Sequence, residues 1–179
     1  MIRGQQRALA ALNVLGGVAV LTSYVYAFSY PGEIRAGLWG GVPESLRSFY
    51  TVNMLLAALG YFPFTWLYVW KVTPEEVGTA TRVPYALLFA LYALVLVPSA
   101  LWLPMTARMI EAPGWGLWWG IRAVLALVAL GSTGLLLLSW RYAHARPGTA
   151  SRLAALGSIP FFTQTAILDA LIWPAYYPS

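Results

Sequence analysis

The sequence has no cysteine and a single histidine, His144, among its 179 residues. Without cysteine it can form no disulfide, thiolate nucleophile or Cys-ligated metal or cluster. One histidine cannot supply a His-rich metal site or both axial ligands of a bis-His haem. Charge is also scarce: Asp, Glu, Lys and Arg make up 9% of the chain, against about 25% in an ordinary soluble domain. Within the apolar runs Asp169 is the only carboxylate. No histidine stands beside a nucleophile, and no Gly-rich phosphate loop precedes a lysine. The usual constellations of acid–base, nucleophilic and phosphoryl chemistry are missing. The expectation leans away from an enzyme, with an intramembrane reaction at Asp169 as a minor alternative.

What is there is apolar. Hydrophobic residues make up 60% of the chain and aromatics 15%. A soluble core of this size would expose large apolar patches. A helix needs roughly 20 apolar residues to cross the hydrocarbon layer, and five runs meet that length, at about 8–30, 48–70, 83–105, 115–140 and 153–174. Aromatics gather at run ends, as in an interfacial belt: Tyr24, Tyr26, Phe28 and Tyr30, then Trp66, Tyr68 and Trp70, then Trp173, Tyr176 and Tyr177. The expected fold class is an all-α integral membrane protein, a single five-helix transmembrane bundle over 1–179. Arg3 and Arg7 ahead of the first run also fit a signal peptide. Its length and the bulky aromatics at its end favour a retained helix.

The net charge of +5 is confined to the gaps between runs, which suits the lipid bilayer rather than nucleic acid. Arg3, Arg7, Lys71, Arg82, Arg141, Arg146 and Arg152 fall on one side, and only Arg35, Arg47 and Arg108 on the other. The positive-inside rule then places the N-terminus in the cytoplasm and the C-terminus outside, in a bacterial-type inner (plasma) membrane. The longest connection, residues 31–47, is too rich in Pro and Gly for a long helix, but Leu38 and Trp39 can pack down from it as a lid.

Two charges interrupt the runs, Arg122 in the fourth and Asp169 in the fifth. An ionisable group at membrane depth is costly and points to function. At 1.5 Å rise per residue, Arg122 lies roughly 10 Å and Asp169 about 8 Å below the outer surface, with Asn53 at a similar level. Three readings stay open: an Arg122–Asp169 pair that fixes packing, a ligand site, or an Arg122 that snorkels to the headgroups. Asn53 and Gln164 are expected to make interhelical hydrogen bonds. Pro63, Pro98 and Pro160 lie within spans and Pro104 is expected to end one. Ser99, beside Pro98, can reach a carbonyl that a proline frees. Gly16 and Gly17, Gly116 and Gly120, Gly131 and Gly134, and Ala166 and Ala170 suit close helix contacts, within the chain or in a homodimer.

Gly60-Tyr61 with Leu67-Tyr68-Val69-Trp70-Lys71, Leu101-Trp102-Leu103-Pro104, and Ile159-Pro160-Phe161-Phe162 with Leu168-Asp169 resemble the helix-two, helix-three and helix-five motifs of the translocator protein (tryptophan-rich sensory protein) family. The resemblance covers residues 60–172. It departs from the family in the first loop, where Trp39 and Pro43 stand without the Trp-x-Pro-Pro signature. It departs again at Ser99 or Ala100 and at Asp169, where the family has asparagine. The resemblance implies a five-helix bundle that binds tetrapyrroles, sterols or similar flat apolar ligands beneath the first loop.

The leading expectation is a membrane protein that binds or translocates a small lipophilic molecule, tetrapyrrole-, sterol- or lipid-like, in an outer-half cavity. Trp39 covers the site, Phe49 and Trp102 stack on the ligand with Ser99 alongside, and Asn53, Arg122 and Asp169 orient its polar end. No metal is expected. The rival expectation is an accessory structural subunit of a larger membrane complex, whose outer faces meet partner chains.

Overall fold

The computed structural model describes residues 2–177. Pro178 and Ser179, the end of the expected outer tail, lie outside the described residues, as does the side chain of Arg3. The described residues form seven helices: α1 (Ile2–Ala27), α2 (Gly32–Gly37), α3 (Glu44–Lys71), α4 (Pro74–Thr81), α5 (Ala86–Glu111), α6 (Trp115–Ala145) and α7 (Thr149–Tyr176). Five of them, α1, α3, α5, α6 and α7, are long and apolar enough to cross a membrane.

The structure extends several expected boundaries. Pro104 does not end its helix, which runs on to Glu111. A proline removes one backbone hydrogen bond, but the helix persists where neighbouring helices hold it. The third and fourth connections are three residues each, and the second is longer. In the second, α4 forms on a capping box: the Glu76 N–H donates to Thr73 Oγ1 (3.2 Å), and the Thr73 N–H donates to Glu76 Oε2 (2.7 Å). Pro74 opens its first turn, and Arg82 closes it in the left-handed region at φ 61°.

Two helices change pitch. The last turns of α3 (Leu67–Lys71) and a long stretch of α7 (Thr163–Ile172) widen to i→i+5 hydrogen bonding. Each follows a proline, Pro63 or Pro160, inside the same helix. The missing N–H interrupts the i→i+4 ladder there, and such π segments concentrate at functional sites.

The long helices pack in the order α1, α5, α6, α7, α3, and α1 returns to α3 chiefly at Leu67–Lys71. The tightest crossing is between α3 and α7, where Gly60 and Gly157 bring the backbones together. A Cβ on either glycine would strike the other's carbonyl group. On the other side of the bundle Gly131 and Gly134 seat Leu91 and Val95, and Gly16 seats Leu96. Gly116 faces open space.

The core falls into two clusters. At the α4 end, Phe64, Tyr68, Tyr85, Leu88, Tyr92, Leu135 and Phe161 are packed together. At the opposite end, which carries the first loop, Val42, Tyr50, Trp118, Ile121, Leu125, Leu168 and Trp173 form a second cluster.

Candidate functional site

Asn53, Gln164 and Asp169 form a hydrogen-bonded string in the first-loop half of the bundle. Asn53 lies on the buried stripe of α3 (Tyr50, Asn53, Ala57, Gly60, Phe64), which recurs at helical spacing and faces α7. Its Nδ2 donates to the Pro160 carbonyl (3.2 Å) and to Gln164 Oε1 (3.0 Å). Gln164 Nε2 in turn donates to Asp169 Oδ1 (2.8 Å). Residues five apart stand well off one another on an α-helix, where neighbours are three or four apart. The widened segment Thr163–Ile172 brings Gln164 and Asp169 onto one face, so the pitch change assembles the string.

Asp169 is half-buried. Its Oδ1 accepts from Gln164, and its Oδ2 has no hydrogen-bond partner among the described residues. Two phenols flank it. The Tyr24 side chain lies beside the Trp102 indole and within electrostatic reach of Asp169. Tyr50 faces Asp169 as well, and its hydroxyl donates to the Leu168 carbonyl (3.1 Å).

An aromatic layer lies toward the first loop. Trp173, one turn beyond Asp169, packs edge-on against Trp102 (6.0 Å between ring centroids) and at a tilt against Trp118 (6.1 Å). Trp118 stacks on Tyr177 (5.0 Å), and Trp39 meets Tyr50 edge-on (6.3 Å). The loop is anchored from below, because Trp173 Nε1 donates to the Leu38 carbonyl (3.0 Å). Val42 is buried, and Arg47 caps the turn by donating from Nε to the Val42 carbonyl (3.2 Å) with its guanidinium over the Trp39 ring. Gly40, at φ 58°, and Gly41 lie against Tyr177 and Tyr176, where side chains would not fit. Outside the spans, burial raises the Tyr177 phenol above its ordinary pKa, so it remains a neutral hydrogen-bonding group of this layer.

The structure brings together Trp39, Asn53, Trp102 and Asp169, with Ser99 half-buried on α5 one turn from Trp102. Ser99 makes no hydrogen bond to a proline-freed carbonyl among the described residues. Arg122 does not join them. It forms no ion pair with Asp169, whose partner is Gln164. Instead it is exposed, with its guanidinium 5.0 Å from the Trp119 ring centroid and 5.9 Å from that of Trp118. The buried stripe of α6 passes through Trp118, Ile121 and Leu125. Arg122 is one residue off it, which turns its side chain outward. Phe49 also points away from the bundle, with 56% of its surface exposed. Its neighbour Tyr50 takes the inward position. Sequence reasoning named neither Tyr24 nor Tyr50 as a site residue, and it treated Trp173 only as part of an interfacial belt. No family model, curated protein or solved structure matches the chain, so its chemistry is read from this geometry alone.

Proposed function

We propose that this chain is an integral membrane protein, N-terminus cytoplasmic, that binds or carries a small lipophilic molecule in the space beneath the first loop. The observation that carries the reading is Asp169 itself, a half-buried carboxylate whose Oδ2 no protein donor among the described residues engages, beside an aromatic layer. A carboxylate within an apolar span is costly and points to function, and a mostly apolar surround with one free acceptor suits an apolar ligand that brings a donor. Flat aromatic neighbours (Trp39, Trp102, Trp173) and the flanking Tyr24 and Tyr50 favour a planar ligand with an N–H or O–H, which fits a tetrapyrrole or a sterol. The resemblance to the translocator protein family implies the same ligand classes.

Tryptophan-fluorescence titration of the purified protein with a tetrapyrrole and with a sterol tests the reading. One of the two is expected to bind saturably. Asp169→Leu and Asn53→Leu should each weaken binding at least about tenfold, the order of a lost buried hydrogen bond to a charged group. Saturable binding that neither change alters would place the ligand elsewhere. Stoichiometric co-purification of partner chains without binding would favour the accessory-subunit reading.

A further inference from the structure

At the opposite end of the bundle, α1 and α3 diverge and leave a groove of about 530 Å³ open to the surroundings. Ala10, Asn13 and Val14 of α1 line one wall and Tyr61, Phe62, Thr65, Trp66 and Trp70 of α3 the other, with Leu153 of α7 beside them. Trp66, Trp70 and Leu153 are exposed there.

Asn13, Tyr61 and Thr65, the polar side chains in the groove apart from the two indoles, are already engaged within the protein. Asn13 Nδ2 donates to the Leu9 carbonyl (2.9 Å), the Tyr61 hydroxyl donates to Asn13 Oδ1, and the Tyr92 hydroxyl donates to Thr65 Oγ1 (3.0 Å). The groove therefore asks for an apolar occupant along its length. Its mouth asks for something else. Arg7 lies one turn before Ala10 on α1, Lys71 follows Trp70 with its Nζ 4.6 Å from the Trp66 ring centroid, and Arg152 precedes Leu153. Gln6 Nε2 donates to the Val72 carbonyl (2.9 Å), which holds the start of α1 level with Lys71. All three cations are exposed. The ion pairs among the described residues, Glu44–Arg47 and Arg108–Glu111, lie at the other end. Glu75 and Glu76, on α4 near this mouth, pair with none of the three, and Glu76 is engaged by the Thr73 N–H.

We propose that this groove is a binding site for an anionic phospholipid, with an acyl chain between α1 and α3 and the headgroup phosphate at Arg7, Lys71 and Arg152. From Arg7 to Asn13 the groove descends about 9 Å at 1.5 Å per residue, deep enough to hold the upper part of a chain. The charge at the mouth selects the phosphate, and the mostly apolar lining below it favours an acyl chain over a soluble anion. The proposal rests on the helices crossing a bilayer but not on the ligand site at Asp169, which lies at the other end.

The test is native mass spectrometry of the detergent-purified full chain with phosphatidylglycerol and phosphatidylcholine of identical chains. Brominated-chain versions of both lipids provide a second readout through tryptophan quenching. Phosphatidylglycerol is expected to be retained selectively. Arg7→Gln and Lys71→Gln should each reduce that selectivity about fivefold, the equivalent of about 1 kcal/mol per cation near an anionic surface. Brominated phosphatidylglycerol should quench more than brominated phosphatidylcholine, and the excess should disappear in a Trp66→Phe/Trp70→Phe variant. Ala10→Trp, or Leu153→Trp if the first does not fold, fills the groove and should abolish selective retention. Selectivity that survives groove filling would overturn the site in favour of general surface charge, as would equal quenching by the two lipids. Displacement by millimolar glycerol phosphate would show a headgroup-only contact and overturn the role of the groove.

Discussion

The two ends of the bundle treat their polar groups in opposite ways. At the α4 end the buried tyrosines spend their hydroxyls on the protein: Tyr85 on the Tyr68 carbonyl (2.7 Å), Tyr92 on Thr65, Tyr61 on Asn13, and Tyr68 beside Ser139 Oγ (3.3 Å). Buried tyrosines normally find such partners, and the rings interlock around Phe64 and Phe161. That end is a finished interior. At the first-loop end the string Asn53–Gln164–Asp169 stops with one oxygen of Asp169 unused, under a layer of indoles and phenols. The contrast separates a core from a candidate site. Both interiors are aromatic, and the leftover acceptor sets the first-loop half apart.

The largest expected effect comes from the crossing that joins the halves. Gly60→Val or Gly157→Val puts side-chain atoms into the opposing backbone, which cannot give way as a flexible side chain could. A loss of about 3 kcal/mol or more is expected, read as a large fall in Tm by circular dichroism in detergent. A stable Gly157→Val protein would show that α3 and α7 are not in backbone contact.

Next in size is Asp169→Leu, which leaves Gln164 Nε2 without its acceptor and should cost about 1–3 kcal/mol. Asp169→Asn keeps an oxygen for Gln164 and should leave stability within about 0.5 kcal/mol of the parent. If the asparagine variant falls as far as the leucine variant, the carboxylate is structural and the contrast between the halves weakens.

Tyr92→Phe tests the finished end. It removes one buried hydroxyl and its bond to Thr65, at an expected cost of about 1 kcal/mol. No change in Tm would mean that the tyrosine network contributes packing only.

The smallest effect is expected at Arg122. Arg122→Gln should shift stability by less than about 0.5 kcal/mol, as for an exposed side chain. The double change Arg122→Asp/Asp169→Arg should recover nothing beyond the sum of the single changes. Recovery would restore the pairing of the two charges and move Arg122 into the site.

Much of this was legible in the residues. Five long apolar runs announce five long helices, and helix rise alone puts Asn53 and Asp169 at a similar level. The interhelical bond between Asn53 and Gln164 follows from the scarcity of other partners in an apolar interior. The capping box Thr73-Pro74-Glu75-Glu76 is also written in the sequence, although α4 was not among the expected elements. Gly60 and Gly157 were not among the small residues singled out. They lie on different helices, and no spacing along the chain links them. Phe49 and Tyr50 are both aromatic neighbours on one helix, so composition could not say which of them turns inward.

The sequence by itself determined how many helices are long and apolar enough to span and where along each helix its polar residues fall, because length and hydropathy follow from composition along one axis. Only the tertiary structure decided which way each side chain points. An α-helix turns about 100° per residue, so one residue of phase carries Arg122 from the buried stripe to the surface. The widened turns of α7 change that phase and set Gln164 over Asp169. Phase is fixed by contact with neighbouring helices, here the α3–α7 crossing, and that contact exists only once the bundle has assembled.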